Sequence, residues 1–197
     1  MFHENISKYN IILASGSPRR QQFFKDLGLE LEVRLKPVIE EFPDRLHHFE
    51  ISNYLAELKA IPLNGSLKEN DILITSDTIV WHNNTALGKP KDASEAYQMI
   101  KSMSNTTHEV ITSVCFTTSS FQKTVHAITK VTFKDLTDEE INYYINNYKP
   151  YDKAGAYGIQ EWIGKIGITH IEGSYFNVMG LPTHLVYETL NSIITSK

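Results

Sequence analysis

The sequence predicts an α/β fold built on one mixed sheet, and three observations carry that prediction. Apolar runs alternate with stretches of helical spacing over the first hundred residues, as in a chain laying down strands joined by helices. Ile72-Leu73-Ile74 is apolar without alternation, the mark of a central strand covered on both faces. Residues 110–116 and 125–133 then read as two strands with Ser119-Ser120 in the turn between them, so an antiparallel hairpin joins the sheet.

At 197 residues the chain is long enough for one sizeable domain, and residues 1–197 are read as a single domain. It shows no internal repeat, low-complexity tract or linker. A net charge of −4 argues against a protein that coats a polyanion, so individual lysines and arginines are local site charges. The lone Cys115 excludes an internal disulfide and sits in an apolar strand pattern, as a buried structural thiol. The first residues lack a signal-peptide core and no apolar run reaches membrane-spanning length, which makes the cytoplasm the expected location. The eight histidines show no ligand-like spacing.

The first strand, Ile11-Ile12-Leu13, leads into Ala14-Ser15-Gly16-Ser17-Pro18-Arg19-Arg20. Ser17 suits a helix N-cap, Pro18 the first helical position, and Gly28 a left-handed stop after Phe23, Phe24 and Leu27. Residues 29–35 alternate as a half-buried strand, and a proline-bracketed loop follows with Glu40 and Glu41. Ile51, Tyr54, Leu55 and Leu58 fall at helical spacing, with Lys59 at that helix's end. The central strand continues through Asp77 and Thr78 to a turn at Asn83-Asn84, and Gly88-Lys89-Pro90 leads back from it. Asp92 with Glu95, and Thr137 with Glu140, mark capping boxes of two further helices, the second stopped by Pro150. The small residues of 153–160 let backbone approach a ligand closely. Residues 173–179 read as a last strand, and Gly180-Leu181-Pro182 opens a closing helix.

The opening strand–loop–helix presents backbone N–H groups, hydroxyls, a helix N-terminus and two guanidinium groups to one point, which suits an anion and phosphate above all. Cations are disfavoured beside the positive end of a helix dipole, and a bound anion offsets that cost. Asp77 interrupts a buried strand, where a carboxylate is costly unless paired or metal-bound. Ser15, Ser17, Arg19, Arg20, Glu41, Lys59, Asp77, Lys89 and Gln160 are the polar residues that structure alone does not explain. Four are cations, as a polyphosphate needs, and two are carboxylates able to hold Mg²⁺. Neither a Walker-type nor a G-x-G-x-x-G motif occurs. This inventory suggests phosphoryl or nucleotidyl chemistry.

Leu13-Ala14-Ser15-Gly16-Ser17-Pro18-Arg19-Arg20, Ser76-Asp77-Thr78-Ile79-Val80, Gly88-Lys89-Pro90, Lys153-Ala154-Gly155-Ala156-Tyr157-Gly158-Ile159-Gln160 and Asn177-Val178-Met179-Gly180-Leu181-Pro182 resemble the Maf family of nucleoside triphosphate pyrophosphatases. The similarity is to its dTTP/UTP pyrophosphatase branch in particular, through Arg19, Thr78 and Gln160. The resemblance implies an inosine-triphosphatase-like fold with a cleft between two lobes, a homodimer, and a divalent cation, Mg²⁺ or Mn²⁺. It also implies hydrolysis of a nucleoside triphosphate to monophosphate and pyrophosphate. With a net charge of −4, no stable nucleic-acid binding is expected. By motif, Asp77 is the proton acceptor, and Glu41 joins it at the metal. Ser15, Ser17, Arg19, Arg20, Lys59 and Lys89 contact phosphate, while Arg19, Thr78 and Gln160 set specificity. Two alternatives are a nucleotide- or nucleic-acid-binding regulator of septum formation and the 7-methyl-GTP branch, for which Arg19, Thr78 and Gln160 are the wrong signature. Glu161 and Trp162 stand where family members often carry small residues.

Overall fold

The computed structural model describes residues 2–195; Met1, Ser196 and Lys197 lie outside it. The strands in chain order are β1 (Asn10–Leu13), β2 (Glu32–Val33), β3 (Asp71–His82), β4 (Thr85–Leu87), β5 (Thr107–Thr117), β6 (Gln122–Phe133) and β7 (Ile168–Glu172). They form a mixed sheet in the order β2-β1-β3-β5-β6-β7, with β4 paired to β3. The helices are α1 (Phe2–Ile6), α2 (Pro18–Asp26), α3 (Phe49–Asn64), α4 (Ala93–Met103), α5 (Asp138–Tyr148), α6 (Trp162–Gly167), α7 (Tyr175–Val178) and α8 (Thr183–Thr195). The chain divides into two compact units: Met1–Asp77 with Thr112–Ala127 and Gly180–Lys197, and Thr78–Ile111 with Ile128–Met179.

In the first unit β1 runs parallel to β3 from the Asn10↔Asp71 pair to Leu13↔Ile74. Ile12 and Leu73 are fully buried on this pair, where Ala60 and Leu63 of α3 cover them. Each large aliphatic side chain removed from water in this way contributes about 1.5–3 kcal/mol. The strand predicted over 29–35 shrinks to the two residues of β2, paired parallel with β1 at Ile12↔Glu32 and Leu13↔Val33. Val33 and Leu35 are 41% and 57% exposed, so the alternation there has no core to face.

In the second unit β3 turns through Asn83 and Asn84, both with positive φ, and returns antiparallel as β4. Asparagine tolerates that left-handed geometry, and a two-residue loop of this kind matches strand twist. The core gathers Val110, Val131 and Phe133 with Ala96, Ile100 and Met103 of α4 and Ile141, Tyr144 and Ile145 of α5. Thr137 and Glu140 form the capping box that the sequence predicts. Asp92 accepts from the Glu95 N–H, but the Glu95 carboxylate reaches the N–H of Lys91 instead of the cap residue.

The strand expected at 173–179 is not there. β7 lies earlier, antiparallel to β6, and 175–178 form the single turn α7, capped by Ser174 accepting from the Asn177 N–H. Gly173 explains the break. Its φ is +127°, and a Cβ there would lie 2.7 Å from Thr129 Oγ1 and 3.1 Å from Ile128 O. The chain therefore leaves the sheet through a contact that only glycine permits.

Candidate functional site

Local chemistry builds the opening loop as the sequence predicts. Ser17 caps α2 by accepting from the Arg20 N–H at 3.4 Å, Pro18 takes the first helical position, and Gly28 adopts φ +72° beyond the end. Ser15 is buried, and its hydroxyl accepts from the Ser17 N–H at 3.3 Å. Gln21 donates to the Ser15 carbonyl, which braces the loop against its own helix.

The two arginines behave differently. Arg19 is half-buried. Arg20 donates from Nε to the Gly180 carbonyl at 2.8 Å and from Nη1 to the Ser76 carbonyl at 3.1 Å. The cost of a cation in the first turn of α2 is thus offset for Arg20 by backbone carbonyls, where sequence reasoning invoked an anion. Burial lowers the Arg20 pKa from its ordinary value, while the charges of Asp77 and Glu40 act in the opposite sense. It remains protonated, as arginine does in proteins.

Asp77 ends the buried part of β3 in the first unit and is 6% exposed. Its Oδ1 accepts from Lys59 Nζ at 2.6 Å, and its Oδ2 is buried without a hydrogen-bond partner. Lys59 also lies 3.1 Å from Glu40 Oε2. The sequence pattern places Lys59 at a helix end. The helix continues five residues further, through Pro62 to Asn64, so Lys59 stands inside α3 and its charge answers Asp77 and Glu40. Glu41, the carboxylate that the motif designates, is exposed; its neighbour Glu40 is the one brought to Lys59. Alternating positions in an extended loop point opposite ways, and no local signal separates the two.

In the second unit Thr78 is half-buried and Lys89 exposed. Gly155 joins two of the motifs, because its N–H donates to the Gly88 carbonyl at 3.0 Å. Its φ is +66°, and a Cβ would meet Val80 Cγ2 at 2.8 Å. Gln160, half-buried, lines a depression of about 270 Å³ with Lys165, Ile168, Ile171 and Tyr175. Lys153, Tyr144 and Glu161 also meet in this unit, a group that sequence reasoning missed apart from noting Lys153 in its motif and Glu161 as a departure.

No group of three or more His, Cys, Asp or Glu side chains suited to a metal occurs among the described residues. A site completed by substrate oxygens needs fewer protein ligands, and the unpartnered buried Oδ2 of Asp77 fits one.

The family model described as Maf-like protein matches residues 10–193. The chain belongs to the Maf family. It is 68% identical over 194 residues to the dTTP/UTP pyrophosphatase of Flavobacterium johnsoniae, covering 98% of this chain and 100% of that relative. It is 56% identical over 196 residues to the dTTP/UTP pyrophosphatase of Christiangramia forsetii, covering 100% of both. Among solved structures, the Staphylococcus aureus Ham1 protein superposes with a TM-score of 0.52 at 14% identity, over 93% of this chain and 99% of that one. That likeness concerns the fold, and it agrees with the mixed α/β architecture expected from the family resemblance. No helix among the described residues is long and apolar enough to cross a membrane.

Proposed function

We propose that this Maf-family chain hydrolyses nucleoside triphosphates, dTTP and UTP in preference, to the monophosphate and pyrophosphate. The observation that carries the reading is Asp77, a buried carboxylate held on one oxygen by Lys59 with the other left unpartnered. Relatives that align with 98–100% of the chain bear the name dTTP/UTP pyrophosphatase, which supports the same substrates here.

Asp77 is the proton acceptor for a water that attacks the α-phosphorus. Lys59 fixes its carboxylate through Oδ1, which leaves Oδ2 to orient the water and take its proton. Ser15, Ser17, Arg19, Arg20, Lys59 and Lys89 supply hydroxyls and positive charge to the phosphate chain, stabilising charge as it develops on the leaving pyrophosphate. Asp77, with Glu41 from the motif and Glu40 as the neighbour seen at Lys59, would hold a divalent cation, Mg²⁺ or Mn²⁺. When bound, that cation supplies Lewis-acid neutralisation of the phosphate oxygens. Gln160, with Arg19 and Thr78, reads the pyrimidine. Assembly as a homodimer in the cytoplasm, without stable nucleic-acid binding, completes the reading.

Purified protein incubated with Mg²⁺ and dTTP or UTP should release pyrophosphate and the corresponding monophosphate in equal amounts. Nucleotide binding without turnover would favour the regulatory alternative.

A further inference from the structure

Glu161 follows Gln160 directly and stands where the family often has a small residue. Its Oε1 lies 3.1 Å from Nζ of Lys153, a lysine only 8% exposed. Its Oε2 accepts the phenol proton of Tyr144, which is fully buried on α5. The Tyr144 oxygen in turn accepts the Gly158 N–H at 3.0 Å. The Glu161 N–H donates to the Gly158 carbonyl, also at 3.0 Å. Lys153 and Glu161 are thus the two ends of one segment, joined by charge, and Tyr144 ties its middle to α5.

Gly158 shows that the segment is shaped around this contact. A Cβ at that position would lie 2.9 Å from Glu161 Cδ and 3.1 Å from Lys153 Cε. A side chain there would press on both ends of the ion pair. Burial raises the Tyr144 pKa from its ordinary value, with the Glu161 contact as the second cause, so the phenol keeps its proton at neutral pH and donates. Lys153 also meets the exposed Asp152 carboxylate at 2.7 Å, and Glu161 is the partner on its buried side. A merely flexible glycine-rich loop has no use for a nearly buried lysine, a carboxylate and a phenol brought into contact, since desolvating them is costly.

We propose that Glu161 is a positioning residue: with Lys153 and Tyr144 it latches residues 153–161 in one conformation and fixes the backbone that presents Gln160 to the pyrimidine. The specificity part of this inference rests on the function proposed above; the latch itself does not. An amide side chain discriminates between base edges only when held at one distance and angle. The latch supplies that constraint from the residue next to it.

The full-length protein and its Glu161→Ala, Glu161→Gln and Tyr144→Phe variants test the proposal by amide hydrogen exchange over residues 155–160 and by kcat/KM for dTTP and CTP. Loss of charge-assisted hydrogen bonds in Glu161→Ala should speed exchange, including at Gly158, by about tenfold or more. The dTTP-to-CTP ratio should fall by about tenfold, chiefly through a higher KM for dTTP with kcat nearly kept. Tyr144→Phe, which keeps the ring in the core, should give the same pattern. Should Glu161→Ala not fold, Glu161→Gln keeps shape and one acceptor and should shift both readouts the same way by about threefold. A folded variant with native exchange, or with faster exchange and an unchanged dTTP-to-CTP ratio, overturns the proposal. If the wild type turns over neither nucleotide, the functional reading fails, while exchange still decides whether the latch exists.

Discussion

Lys59 Nζ lies 2.6 Å from Asp77 Oδ1, so the acidic residue of the central strand is held from inside a helix. Asp77→Asn keeps an acceptor for Lys59 but removes the charge and the basic oxygen. The variant should keep its fold and bind nucleotide, while turnover falls by about 10²–10⁴. Steady-state rates with dTTP, beside calorimetric binding of a non-hydrolysable analogue, check both halves. Near-normal turnover would remove Asp77 from the role given to it.

Arg20 is tied to two carbonyls from distant parts of the chain, Gly180 and Ser76. Lysine keeps the charge but lacks the fork that reaches both at once. Arg20→Lys should therefore cost about 1–3 kcal/mol of stability, lowering the melting temperature by roughly 2–10 °C. A thermal scan of the variant measures this. An unchanged midpoint would mean that Arg20 is held for the substrate's phosphate alone.

His108 is 2% exposed and bonded through Nε2 to the Tyr157 hydroxyl at 2.8 Å. Burial, with the charge of His82 adding to it, pushes the His108 pKa from 6.5 down to about 3. The unfolded imidazole therefore takes up a proton below pH 6.5 that the folded one refuses until about pH 3. Stability should fall as pH drops through that window, by about 1.4 kcal/mol per pH unit from this group alone. His108→Phe loses the Tyr157 contact but also the titration. Urea unfolding between pH 4 and 6 should show a shallower pH dependence in the variant by about that slope. Equal slopes would contradict the account of His108 as a buried neutral group.

The base preference rests on Gln160. Thymine and uracil present an N3–H beside a carbonyl, which one amide can engage by accepting and donating. Cytosine offers an unprotonated N3 and an amino group, which leaves a partner unpaired at about 1–3 kcal/mol. The expected preference for dTTP and UTP over CTP is roughly ten- to a hundredfold. Gln160→Ala should abolish it while a less specific pyrophosphatase activity persists. Retention of the preference in the variant would assign base reading elsewhere.

What was legible in the sequence was local. Ser17, Pro18 and Gly28 each act on the backbone within a few residues, and the loop and helix around them follow the pattern closely. The capping box of α5 is the same kind of signal. The misreading at 173–179 arose because Gly173 answers to Thr129, more than forty residues away, and nothing nearby records that approach. Lys59 reads as a helix end because the residues at helical spacing stop at Leu58, yet α3 runs on through Pro62 to Asn64. Glu40 and Glu41 are chemically identical neighbours, and only the conformation of the loop selects which one meets Lys59. The joining of Lys153, Tyr144 and Glu161 was hidden for a similar reason. Tyr144 falls at the helical spacing of Ile141 and Ile145, the pattern of a core residue, and its hydroxyl shows its use only when α5 and the glycine-rich segment are packed together.

The central claim is that water attacks the α-phosphorus, and the position of the new oxygen tests it most directly. Turnover of dTTP in ¹⁸O-labelled water, followed by mass spectrometry of both products, should place the label in thymidine monophosphate and leave pyrophosphate unlabelled. Label in pyrophosphate, or release of orthophosphate with thymidine diphosphate, would contradict the account.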